Sequence, residues 1–265
     1  MKNIIFHVYN LYLLNFPINR GKQFIGKLID KCCGTFLIQV DDFKLAVFCS
    51  SAMDMSYLEN NDSGHDLLKE EINKLPKGAV FVDIGANIGY TSFYAAVRIG
   101  NEGKVYSFEP SFREYNRLLK GLVNNTFNNV IPFNVAIAAS KGLVKVKTDV
   151  GHTGMNRIEN NESRKEQLSS QNFLVPCFAL GDLIAEERID LVKIDVEGAE
   201  FQVLQGLEPF LKRKKIDRVI IEITPVFLKH FGDDKQDIYN LFSKYGYKSL
   251  INGDAWQYDE VFSLI

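Results

Sequence analysis

The sequence predicts an α/β fold, a largely parallel sheet covered by helices, and three observations carry that prediction. From Ala79 onward, short apolar runs alternate with segments of helical periodicity, the pattern of repeated strand–helix–strand units. One of those runs, Val80–Ile84, is almost continuously apolar, as a strand buried on both faces must be, and a second run, 189–196, also reads as a strand. A glycine-bearing turn follows the first run and an acidic turn follows the second, leaving polar residues at strand ends, where such sheets bind ligands. The chain is 265 residues long and 46% hydrophobic. That suffices for one large buried core, and it excludes a disordered, collagen-like or coiled-coil chain.

The elements follow in order. Ile5, Tyr9, Tyr12 and Phe16 recur at helical spacing, so residues 4–16 read as an amphipathic helix packed on the main domain. Contact with a membrane surface is the alternative for this segment. The run is too short to span a bilayer as a helix, His7, Asn10 and Asn15 interrupt it, and no small-residue cleavage site follows, so neither a transmembrane nor a secretory segment is expected. Two β-rich runs, 35–40 and 43–48, flank Asp41-Asp42 and read as a hairpin. A polar stretch, 59–66, leads into a helix over 66–75, which Pro76-Lys77-Gly78 ends. These elements form an expected appendage, 1–70, ahead of a main domain, 71–265.

In the main domain, strand Val80–Ile84 precedes a helix over 89–99, and strand 104–109 precedes a helix to Asn124, opened by Pro110-Ser111. A third strand is expected over 130–136. Strand-like segments 143–148 and 173–179 bracket a polar loop, 149–171. Strand 189–196 leads into a helix over 199–211, with Val203, Leu204, Leu207 and Leu211 on one face. A strand at 218–223, a helix at 235–245, a strand at 247–251 and a terminal strand at 260–265 complete the chain.

Charge and cysteines bound the setting. Thirty-one Lys and Arg against 33 Asp and Glu leave a net charge of −2, without the basic surplus that phosphate contacts need, so no nucleic-acid partner is expected. Cys32, Cys33, Cys49 and Cys177 show no C-x-x-C or zinc spacing and read as reduced thiols of a cytoplasmic protein. Lys193, inside a buried strand, is expected to snorkel outward, and Trp256 to pack in the core. The run Lys212-Arg213-Lys214-Lys215 reads as a solvated complement to a helix C-terminus.

Three motifs carry chemistry. In Asp83-Ile84-Gly85-Ala86-Asn87-Ile88-Gly89-Tyr90, a glycine turn lets a ligand approach the backbone, and the next helix offers free N–H groups. Counted from Gly85, the dinucleotide fingerprint G-x-G-x-x-G fails, because Asn87 and Tyr90 stand where glycines belong. Glu109 closes the second strand, where an acidic residue can accept both hydroxyls of a ribose; the plainer reading is a helix-capping carboxylate. In Lys193-Ile194-Asp195-Val196-Glu197-Gly198-Ala199-Glu200, the helix dipole accounts for Glu200. Asp195 and Glu197 are expected to face the cleft.

These motifs, with Ser107-Phe108-Glu109-Pro110, Asn134-Val135-Ala136-Ile137 and Ile221-Glu222-Ile223, together resemble the FkbM family of S-adenosylmethionine-dependent methyltransferases over about residues 70–225. One departure is visible: Leu180-Gly181-Asp182-Leu183 stands where the family usually reads L-D-D-L. The resemblance implies a Rossmann-like class I methyltransferase sheet, mostly parallel with an antiparallel strand near the C-terminus. It implies O-methylation of a sugar, glycan or natural-product hydroxyl. Asp83, Gly85, Ala86, Asn87, Gly89 and Tyr90 would then hold the methionine portion of S-adenosylmethionine, Glu109 its ribose, and Asn134 and Val135 its adenine. Asp195 and Glu197 would lie near the sulfonium and the acceptor. A general base for the hydroxyl is sought among Asp195, Glu197, Glu222 and His152, with His230 behind them. Asp195, Glu197 and Glu222 could offer oxygen ligands to a divalent ion, but nothing fixes such a site and no metal is expected. The competing readings are a nicotinamide-dependent oxidoreductase and a non-catalytic cofactor-binding protein.

Overall fold

The computed structural model of the chain describes residues 2–15, 22–57, 66–147, 157–159 and 172–265. Helices α1 (Lys2–Asn15) and α2 (Lys22–Cys33) lead into the hairpin β1 (Phe36–Val40) and β2 (Phe43–Val47), turned through Asp41 at φ 46°. Short helix α3 (Ala52–Ser56) and α4 (Asp66–Asn73) complete the N-terminal part. Then come β3 (Val80–Ile84), α5 (Tyr90–Ile99), β4 (Lys104–Phe108), α6 (Phe112–Asn124) and β5 (Val130–Phe133). Strands β6 (Ala136–Ile137), β7 (Gly142–Lys147), β8 (Arg157–Glu159) and β9 (Asn172–Phe178) form a separate four-stranded sheet. The chain returns through β10 (Ile189–Ile194), α7 (Glu200–Lys212), β11 (Ile216–Ile223), α8 (Pro225–Leu228), α9 (Lys235–Lys244), β12 (Tyr247–Ser249) and β13 (Tyr258–Leu264).

The main sheet has seven strands in the order β12-β13-β11-β10-β3-β4-β5. The five from β11 to β5 run parallel, and β13 runs antiparallel to β11, the sheet that the motifs imply. Strand order reverses between β3 and β10, which places a ligand crevice at their carboxyl ends. Alternation along the central strands divides the core. Phe81, Leu191 and Ile220 face one apolar layer, and their neighbours Val82, Val192 and Ile221 face the other. Burial on both faces explains why β3 reads as an almost continuous apolar run.

The hairpin shares the first layer: Phe36, Phe43 and Leu45 join Phe81 and Phe93 in one cluster. A buried polar lock adds to it. Arg117 on α6 donates through Nε to the Ala46 carbonyl at 3.0 Å, pairs with Asp54 on α3, and lies over the Phe48 ring.

Four expectations need correction. Helices α2 and α3 were not anticipated. In α2 Gly26 breaks the apolar pattern, yet glycine is required there, since an added Cβ would lie 2.7 Å from the Cys49 carbonyl oxygen. The strand expected over 130–136 is two strands in two sheets. The Asn134 side-chain amide takes the Glu109 and Pro110 carbonyls at 2.8 and 3.2 Å, which ends the ladder with β4. The first helix packs through Tyr9 as expected, but its other side is apolar too, with Ile4, Val8 and Leu11 exposed; the Tyr12 side chain and Phe16 lie outside the described residues. Trp256 is 74% exposed rather than packed in the core. Its loop is held by polar anchoring instead of apolar burial, because the buried Glu260 carboxylate accepts the N–H groups of Ile251, Asn252 and Gly253. No helix among the described residues is long and apolar enough to cross a membrane.

Candidate functional site

A row of polar side chains crosses the middle of the apolar sheet. Parallel register sets Ser107 of β4, Asp83 of β3 and Lys193 of β10 side by side. The Ser107 hydroxyl donates to Ser92 Oγ at 2.7 Å, and Ser92 donates to Asp83 Oδ2 at 2.6 Å. Asp83 is 0% exposed. Its Oδ1 makes no hydrogen bond and faces the Lys193 ammonium at 3.5 Å.

Lys193 does not snorkel. It is buried, its Nζ donates to the Gly85 carbonyl at 2.9 Å, and it pairs with Asp195 at 3.1 Å. Burial alone would lower its pKa, but Asp195 and Asp83 outweigh burial and leave it raised. One cation therefore joins the glycine loop, the end of β3 and the end of β10. Sequence reading missed Lys193, Ser92 and Ser107; a lysine inside an apolar strand, one register step from an aspartate, was the available signal.

The loop after β3 is built from left-handed backbone, with φ of 85° at Gly85, 50° at Asn87 and 92° at Gly89. A Cβ at Gly85 would lie 1.8 Å from the Asp195 carbonyl oxygen, so glycine lets the two strand ends meet. The N–H groups of Gly85 and Ala86 both donate to the Phe108 carbonyl. Gly89 opens α5 without a side-chain cap, so the first-turn N–H groups suit an anionic group such as a carboxylate. The Tyr90 ring points away from the loop. It stacks on Tyr57 and meets Phe43 edge-on.

Glu109 staples the loop to the next helix. Its Oε2 accepts from Asn87 N and its Oε1 from Ser111 N, both at 2.8 Å. Burial, then Glu114, pushes its carboxyl up to about 8 against those two N–H groups. The capping reading of Glu109 is thus seen. Asn134 lies beside it, tied to the Glu109 and Pro110 carbonyls, and Val135 packs partly buried against the second apolar layer.

At the carboxyl ends of β10 and β11, Asp195, Glu197 and Glu222 bring ligand oxygens within 4.8 Å of one another. Glu197 adopts φ 56°, a strained setting for a glutamate and a frequent mark of functional turns. Glu222 pairs in register with Asp259. Burial, then Asp195, pushes the Glu222 carboxyl up to about 8, with Gln257 opposing. Glu200 opens α7 as expected; it is buried, accepts from Gly198 N at 2.8 Å, and is pushed up to about 7, chiefly by burial. His230 is exposed against the Phe227 ring. His152 lies outside the described residues.

The arrangement can bind a cationic or amino-bearing ligand against carboxylates, receive a carboxylate at the start of α5, and take a proton beside both. Comparison with known proteins agrees with the motifs. The family described as "Methyltransferase FkbM domain" matches residues 83–249. The chain is 28% identical over 166 residues to the methyltransferase sdnD of Sordaria araneosa, covering 52% of this chain and 64% of that protein. It is 25% identical over 180 residues to the hexuronic acid methyltransferase AglP of Haloferax volcanii, covering 68% of this chain and 67% of that one. The chain thus spans about two thirds of the length of these relatives. Among solved structures, a SAM-dependent O-methyltransferase from Thermotoga maritima aligns at a TM-score of 0.47 and 10% identity, covering 87% of this chain and 77% of that one.

Proposed function

The chain belongs to the FkbM methyltransferase family, and from that premise we propose that it transfers a methyl group from S-adenosylmethionine to a hydroxyl of a sugar, glycan or natural product. The observation that carries this reading is convergence. The glycine loop after β3 and the acids ending β10 and β11 meet at one edge of the sheet, at its switch in strand order. The nicotinamide alternative is not favoured, since the fingerprint fails at Asn87 and Tyr90.

The residues present fit the cofactor. The start of α5 lacks a side-chain cap, and Asp195, Glu197 and Glu222 offer carboxylates to a cationic sulfur at the same edge of the sheet. The loop Gly85–Tyr90 would hold the methionine portion, Glu109 the ribose, Asn134 and Val135 the adenine, and Asp195 the region of the sulfonium. Bound there, S-adenosylmethionine supplies a methyl group activated by positive sulfur, for in-line displacement by the acceptor oxygen.

The chain's own work is alignment and proton removal. Lys193 holds Asp195 and the Gly85 carbonyl in a fixed relation, the kind of positioning on which in-line transfer depends. Asp195 is the base we favour: it is more than a third exposed, so an acceptor can reach it, while Lys193 fixes its direction. Glu222, at about 8, holds a proton at neutral pH and is the alternative partner for the acceptor hydroxyl. Trp256, exposed on the loop that leads into β13 beside the end of β11, is our candidate contact for the acceptor. All four cysteines are free thiols, which supports a cytoplasmic setting.

Calorimetry with S-adenosylhomocysteine and with NAD tests the cofactor, and labelled methyl transfer to a panel of sugars and polyketides tests the acceptor. S-adenosylhomocysteine should bind and NAD should not; the opposite result sinks the reading. Asp195→Asn should cut turnover about 10²-fold or more while S-adenosylhomocysteine binding changes little. Normal turnover in that variant would remove Asp195 as the base.

A further inference from the structure

The two N-terminal helices turn apolar side chains outward. On α1, Ile4, Val8 and Leu11 are each half exposed or more, and their spacing puts them on one face. On α2, Phe24 is 67% and Leu28 49% exposed, four residues apart, with Ile25 beside them. The opposite faces already do the packing. The Tyr9 hydroxyl donates to the Lys22 and Cys49 carbonyls, Phe6 stacks on Phe36, and Gly26 lies against the Cys49 backbone. The outward ridge is therefore not needed to hold the helices on the fold, and a run of exposed apolar groups of this kind marks a surface that meets something.

Charge indicates what it meets. Lys27 and Lys31 are exposed and flank the Phe24–Leu28 ridge. Asp30, the only acid in either helix, is turned inward, accepting from Cys49 N at 2.7 Å and Ser50 N at 2.9 Å. The first 33 residues hold five Lys or Arg and one Asp, in a chain whose net charge is −2. Among the described side chains, Lys27 and Lys31 thus set positive charge beside the apolar ridge of α2.

We propose that α1 and α2 seat the protein on an anionic lipid bilayer, with Phe24, Leu28, Ile4 and Val8 at the headgroup boundary and Lys27 and Lys31 on lipid phosphates. Apolar side chains flanked by lysines are the pattern of in-plane membrane helices. A second copy fits less well, because a two-fold contact through this face would bring its lysines together without an acid to meet them. A nucleic acid would strand the apolar ridge against phosphates.

Co-sedimentation of the full chain with phosphatidylcholine vesicles, with and without phosphatidylglycerol, tests this independently of methyl transfer. The protein should pellet with the anionic vesicles, and added salt should release it. Each lysine near an anionic surface is worth about fivefold in partition, so Lys27→Glu/Lys31→Glu should lower binding by at least about 25-fold. Phe24→Ser/Leu28→Ser should lower it by at least about tenfold. All four side chains are exposed, so the variants should keep the wild-type urea midpoint, which checks folding. Wild-type protein that stays in the supernatant with anionic vesicles at low salt would overturn the proposal. So would binding unchanged by Phe24→Ser/Leu28→Ser, or a dimer without lipid binding that this pair of substitutions dissolves.

Discussion

Replacing Lys193 with methionine removes the one cation that joins three parts of the site while keeping the length of its apolar stem. Asp83 is then the exposed weakness. It is fully buried, its Oδ1 makes no hydrogen bond, and the ammonium at 3.5 Å is the charge that faces it. Breaking a buried pair on one side costs about 3–5 kcal/mol. The Ser92 hydroxyl still reaches Oδ2, and Asp195 is 38% exposed, so water takes over part of the loss there. The expected deficit is therefore at the lower end, about 3 kcal/mol at pH 7. An orphaned carboxylate is relieved by taking up a proton, so the deficit should shrink in acid and grow as pH rises. Urea unfolding of Lys193→Met beside wild type, at pH near 7 and near 4.5, measures it. Agreement within about 0.5 kcal/mol at pH 7, or a deficit that does not shrink on acidification, would refute the reasoning.

Two further outcomes follow from the same edge of the sheet. Gly85→Ala places a Cβ 1.8 Å from the Asp195 carbonyl oxygen in left-handed backbone; it should cost at least about 3 kcal/mol in thermal unfolding and abolish S-adenosylhomocysteine binding, whereas a wild-type melt would place the loop differently. Glu109 and Glu222 at about 8 and Glu200 at about 7 lie above the unfolded value of about 4.3. The folded chain therefore holds more protons than the unfolded one, and the stability these groups contribute is full below about pH 4.3 and is lost as pH rises through 7 to 8; urea midpoints that climbed from pH 5 to pH 9 would contradict this.

Legibility in the sequence tracked how local the cause of each feature was. Val80–Ile84 was readable because burial on both faces leaves little but apolar residues in it. The hairpin was readable from Asp41-Asp42 between two β-rich runs, and the loop motif from its glycines. Helix α2 was not, since Gly26 answers to Cys49, a residue distant in sequence. The break after Phe133 was hidden because Asn134 bonds the carbonyls of another strand end. Trp256 was misjudged because the Glu260 carboxylate, not apolar contact, holds its loop.

By itself, the sequence determined the α/β class, most of the order of strands and helices after residue 79, and the residue types at the strand ends that mark the candidate site. Those follow from hydrophobic periodicity and turn chemistry, which act over a few residues. Only the tertiary structure decided that Ser107, Asp83 and Lys193 stand in one row, and that Lys193 turns inward to hold Gly85 and Asp195. The reason is register: parallel pairing brings together residues far apart along the chain, and burial then obliges each charge in that row to find its partner there.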